Sequence, residues 1–107
     1  MTRRRSSGDI LTGWKVMRFD PERGTAISGA DARQRVTPLP GEDLAMPGGI
    51  WLGLDRAYVE THYAVHDHNV TLELRFARAD ILSGRPEDRE AELRVRRARI
   101  LGTRTFP

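Results

Sequence analysis

At 107 residues the chain has room for one hydrophobic core and no second. It is 38% hydrophobic and 31% charged, too apolar for a disordered chain, and it has no cysteine, which excludes disulfides, cysteine zinc sites and thiol nucleophiles. A pI of about 10.2 accompanies a net charge of only +3, because 18 basic residues, 17 of them arginine, face 15 acidic ones; a nucleic-acid partner would need those signs segregated on the surface.

Residues 1–9, MTRRRSSGD, join a basic triplet to small polar residues and hold nothing apolar after Met1. They are read as a disordered basic arm, with phosphate contact through Arg3, Arg4 and Arg5 as the functional alternative. Residues 10–107 then form a single α+β domain. Ile10-Leu11 is far short of a signal-peptide core and no later run approaches a membrane span, so the expected location is the cytoplasm, without membrane contact.

GWKVMRF, Gly13 to Phe19, alternates Lys15, Met17 and Phe19 against Trp14, Val16 and Arg18 and reads as the first strand. In DPERG, Pro21 fixes a turn φ and Gly24 can take a left-handed position, so Thr25–Ala30 returns as the second arm of a hairpin. From Asp31 to Gly49 the density of proline and glycine excludes a long helix and leaves room only for a short strand around Gln34–Thr37. GIWLG then reads as a buried strand.

Asp55 stands where an N-cap would, with Leu54 and Val59 at the positions of a hydrophobic staple, and Tyr58, Val59, His62, Tyr63 and Val65 recur at helical spacing. The principal helix is therefore expected over 55–65. Asn69–Phe76, NVTLELRF, is a strand with Val70, Leu72, Leu74 and Phe76 on its core face. ARADILSG is read as a connector with one helical turn ended by Gly84, and RPEDREAELRVRRARIL as an acidic loop passing into a ribbon with a bulge at Arg96-Arg97. The fold expected is a curved, mainly antiparallel sheet of five or six strands with one helix. Trp14, Trp51, Tyr58 and Tyr63 are expected to join the Val70–Phe76 face in the core.

Three groups of residues bear on chemistry. His62 and His66 have the four-residue spacing of a metal pair and His68 would be a third ligand, but His66-Asp67-His68-Asn69 reads better as a solvated turn, and no metal is assigned. Arg94, Arg96, Arg97, Arg99 and Arg104 form a basic ribbon without interleaved aromatics before Phe106, so a salt-bridged outer strand is favoured over an RNA face. Glu90 and Glu92 would share one face of a strand, as paired carboxylates require, or form a charged rim. Ser28 lacks a nucleophile-elbow pattern, and PGGIWLG lacks the spacing of a phosphate-binding loop.

Gly49-Ile50-Trp51-Leu52, followed twelve residues after Trp51 by Tyr63, resembles the strand and helix of ADP-ribosyltransferase-like folds. Glu90-Ala91-Glu92 before the ribbon resembles their Glu-x-Glu strand. The resemblance implies that Trp51 and Tyr63 stack on the nicotinamide of NAD and that Glu92 orients its ribose. The first strand carries no histidine, with Arg18 as its only basic counterpart to that family's arginine, and no Ser-Thr-Ser motif is present. As a whole the sequence is also similar to a group of small proteins of bacteriophages and prophages.

These observations rank the functions. First is a non-enzymatic interaction protein of phage type, without cofactor, inhibiting a host or defence-system protein in the host cytoplasm and binding through charged loops and Arg94, Arg96, Arg97 and Arg99. Second is a divergent ADP-ribosyltransferase-like enzyme or NAD-binding relic using Trp51, Tyr63, Glu90 and Glu92. A nucleic-acid-binding accessory protein, engaged through the N-terminal arginines and the ribbon, is third.

Overall fold

A computed structural model describes residues 9–27, 35–64 and 67–106. The expected arm at 1–9 falls outside this set except for Asp9, as do Val65, His66 and all of Ser28–Gln34. In chain order the elements are β1 (Ile10–Asp20), β2 (Thr25–Ile27), β3 (Arg35–Val36), β4 (Asp43–Leu44), β5 (Ile50–Gly53), α1 (Arg56–Tyr63), β6 (Asn69–Ala77), β7 (Ile81–Ser83), β8 (Glu92–Val95) and β9 (Ala98–Phe106). All strand pairs are antiparallel, in the order β4-β9-β6-β1-β5-β8-β7, with β2 also paired to β1 and β3 to β2.

Among the described residues the α+β class, the mainly antiparallel sheet and the one α-helix agree with the sequence reading, but the sheet has nine strands rather than five or six. Two of the additional ones are two- and three-residue segments that leave no periodicity to read, and the third comes from the ribbon dividing into two strands. β4 sits in the Pro/Gly-rich connector. β7 occupies Ile81–Ser83, where a helical turn was expected; only Arg78–Asp80 forms a 3₁₀ turn, and Gly84 ends the strand at φ 96°.

The ribbon also differs from expectation. Arg96-Arg97 is not a bulge within one strand but a turn that sends the chain to different neighbours: β8 pairs with β5 and β7, β9 with β4 and β6. In a flat sheet β8 and β9 would lie four strand spacings apart, roughly 19 Å, whereas the three Cα–Cα steps from Val95 to Ala98 span at most about 11 Å. The sheet must therefore curl until its flanks approach. It opens most between β1 and β5, which share a single register pair, Trp14 with Gly53. A bulge at Leu101, between the Glu73–Gly102 and Leu74–Ile100 pairs, adds to the curvature.

Inside the curl, Met17, Leu72, Leu74, Phe76, Ile50, Leu52, Leu93, Val95 and Ile100 are almost wholly buried, and Leu44 and Met46 close the β4 side. The alternation read in β1 and β6 holds: Met17 and Phe19 belong with the core, and Trp14, Val16 and Thr71 are on the outer face with the helix. Of the four aromatic core candidates none is fully buried. Trp14 and Tyr58 are half-buried, while Trp51 is 49% and Tyr63 41% exposed, because both project from the outer face.

Asp55 caps α1 as expected, its Oδ1 accepting the Tyr58 N–H at 3.1 Å, and Leu54 and Val59 are both buried. The helix ends at Tyr63, two residues before the expected limit. Glu60 fastens it to the sheet by accepting from Thr71 Oγ1 at 2.6 Å and from Arg104 Nη2 at 2.9 Å. No helix among the described residues is long and apolar enough to cross a membrane.

Candidate functional site

The outer face of β5 and β8 brings the singled-out residues together through strand register. Trp51 is paired with Arg94 and Gly53 with Glu92, so Trp51, Arg94 and Glu92 project from one face, since cross-strand partners point the same way. α1 lies beside them because Gly53 has no side chain; Val59 Cγ2 occupies the position a Cβ would take, at 2.4 Å from it. That seating puts Tyr63, at the helix's end, against β8, where its hydroxyl donates to Glu92 Oε1.

The Arg94 guanidinium carbon lies 5.9 Å from the Trp51 ring centroid, within cation–π range, and Nη1 donates to the Gly48 carbonyl at 3.0 Å. Its Nε is buried without a hydrogen-bond partner. Gly49, at φ 98°, provides the floor under this side chain: a Cβ there would stand 2.9 Å from Arg94 Cγ and 3.0 Å from Leu82 Cδ1. Leu82, 40% exposed, thus borders Arg94 on the side away from Glu92. The patch runs from Leu82 through Arg94 and Trp51 to Glu92 and Tyr63.

Lys15, the only lysine in the chain, is held at the β1–β5 opening, where its Nζ donates to the Trp51 carbonyl at 3.0 Å. Burial pushes its ammonium below the usual lysine range, and the charge of Glu92 opposes that shift. The hydrogen bond to Glu92, helped by burial and the carboxylate's charge, raises the Tyr63 phenol to about 12. At neutral pH the phenol is therefore a firmly protonated donor.

Glu90 does not join this group. It lies in the turn before β8, its N–H bonded to Asp88 Oδ1 at 3.1 Å, so the Glu-x-Glu sequence is not a strand with two carboxylates on one face. The arginine ribbon is dispersed as well: Arg97 pairs with Asp80 at 3.6 Å, Arg99 with Asp43 at 3.3 Å and Arg104 with Glu60, while Arg96 occupies the exposed β8–β9 turn. His62 stacks on Tyr58 at 4.0 Å, its Nδ1 lying 3.0 Å from the Tyr58 carbonyl, while Asp67 and His68 are exposed and Asn69 is buried in β6.

Sequence reasoning missed Leu82 as a neighbour of Gly49 and Arg94, and Lys15 as a neighbour of Trp51. Leu82 gave no signal, having been assigned to a helical turn. Lys15 gave one in composition, as the single exception to a uniform use of arginine.

Comparison with protein-family models, with curated proteins and with solved structures found no match to this chain.

Proposed function

We propose that this is a small non-enzymatic interaction protein that docks onto a partner protein through the outer face of β5, β8 and β7. One observation carries the reading: among the described residues four large hydrophobic side chains are exposed, Leu39, Trp51, Tyr63 and Leu82, and three of them belong to this one patch around Arg94. Clustered exposed apolar residues mark interaction surfaces, and tryptophan, tyrosine and arginine are the side chains that most often dominate binding energy. The resemblance to phage and prophage proteins supports a host or defence-system protein as the partner, and its inhibition as the outcome.

The test compares the native chain, Trp51→Ala and the control Leu39→Ala as baits in a host lysate. A protein retained by the native and control baits and lost from Trp51→Ala supports the reading. Equal retention on all three overturns it.

A second reading, an ADP-ribosyltransferase-like NAD site, draws on the hydrogen bond between Tyr63 and Glu92 beside Trp51. Trp51 and Tyr63 would supply the ring contacts and Glu92 the ribose acceptor. The fit is partial, because Arg94 lies over the Trp51 ring, Glu92 already accepts from Tyr63 and Glu90 is outside the strand. Calorimetry with millimolar NAD separates the two readings: no heat of binding ends the second, and binding abolished by Trp51→Ala replaces the first with it.

A further inference from the structure

Arg94 differs from Arg97, Arg99 and Arg104 of the ribbon. Arg97, Arg99 and Arg104 each lie within ion-pairing distance of a carboxylate, as do Arg35 and Arg56 elsewhere. Arg94 has no such partner among the described residues. Glu92, two residues away on the same face, is engaged by Tyr63 instead. Yet Arg94 is not a loose surface side chain: it lies against the Trp51 ring, Gly48 holds Nη1, and the bare backbone of Gly49 seats its stem beside Leu82.

A guanidinium binds a carboxylate best side-on, through two parallel N–H groups. With Nη1 committed to Gly48, Nη2 is the donor a partner reaches first, and Nε, buried without a partner, completes the side-on fork once docking shifts the side chains that cover it. The stem and Nη1 are already held at Gly49 and Gly48, so little freedom of Arg94 itself is lost when an anion arrives. Its apolar flanks, Trp51 and Leu82, would exclude water from such a pair and strengthen it.

Resting on the docking reading, we propose that the partner presents an aspartate or glutamate carboxylate to Arg94, with an apolar side chain next to it that packs on Trp51 and Leu82. The recognition element is thus a short acidic-apolar segment of a protein. Complementary charge at Arg94 determines which segment binds, and the aromatic surface supplies the contact area.

The probe is a random-peptide display library selected in parallel on the immobilised full-length native chain, Arg94→Gln and Trp51→Ala, each first checked by circular dichroism for the native fold. Selection on the native chain is expected to enrich peptides with Asp or Glu within two positions of an aromatic or aliphatic residue. A synthetic enriched peptide is then titrated against all three chains and against Arg94→Lys. Binding should weaken about 10–100-fold in Arg94→Gln, and replacing the peptide's acid by its amide should cost the native chain the same factor but Arg94→Gln almost nothing. Arg94→Lys, which keeps the charge but not the fork, should fall between.

Enriched peptides without an acid, or equal affinity for native and Arg94→Gln while Trp51→Ala abolishes binding, overturn the carboxylate proposal and leave the docking face standing. Equal affinity for native and Trp51→Ala overturns the docking face itself. No enrichment over a blank surface overturns both.

Discussion

Gly53 matters because of what occupies the space beside it. Val59 of α1 lies where a methyl group would sit, so Gly53→Ala forces the helix outward and is expected to destabilise the fold by about 1–3 kcal/mol, measured by chemical denaturation. The same displacement carries Tyr63 away from Glu92, a change that can be read separately. The phenol should titrate near pH 12 by ultraviolet absorbance in a Tyr58→Phe background and return toward the ordinary tyrosine value in Glu92→Ala. Because the folded-state value is raised, the stabilisation from this hydrogen bond is fully present below the ordinary tyrosine pKa and is lost as pH rises through about 12.

At the scale of elements, α1 is two turns long, too short to persist by propensity alone, and depends on its cap and on Glu60. Asp55→Ala removes the acceptor of the Tyr58 N–H and should cost about 1 kcal/mol in thermal or urea unfolding. Burial works to raise the Glu60 carboxyl, but hydrogen bonds from Thr71 and Arg104 and the charges of Arg104 and Arg56 outweigh it and hold the group below the usual glutamate range. Its contribution is therefore present above that range and lost as pH falls through the depressed value. Glu60→Gln should flatten the acid limb of a plot of urea midpoint against pH.

The elements legible in the sequence were β1, β6, the β1–β2 turn and α1, which show a period or a cap, together with β3 and β5, which turn residues set off. β4 and β7 are too short for alternation to register, and β7 was further disguised by neighbours suited to a helical turn. For the site, Trp51, Tyr63, Glu92 and Arg94 were all named, but the two aromatics were assigned to the core as well as to a pocket. Hydrophobicity alone does not say which face of a sheet a tryptophan projects from. Only the pairing of Trp51 with Arg94, and of Ile50 and Leu52 with buried Val95 and Leu93, decides that.

For the whole molecule, the curl is the organising feature. Its core joins strands distant in sequence, β1 with β6 and β6 with β9, so few contacts form before long loops close. Folding followed by tryptophan fluorescence after rapid dilution from denaturant should fall in the millisecond-to-second range of non-local β topologies. The two-residue passage at Arg96-Arg97 holds the flanks of the sheet together. Inserting four Gly/Ser residues there should lower the denaturant midpoint, with a larger effect than the same insertion between β7 and β8, whose connecting loop is already long.

The amine held by the Trp51 carbonyl has a practical meaning as well. Apart from the chain's own α-amino group, any acylation, reductive alkylation or enzymatic tagging directed at amines has one side chain to find, and that side chain lies in the seam between β1 and β5. A lysine reagent applied to this protein therefore places any side-chain label at that one seam.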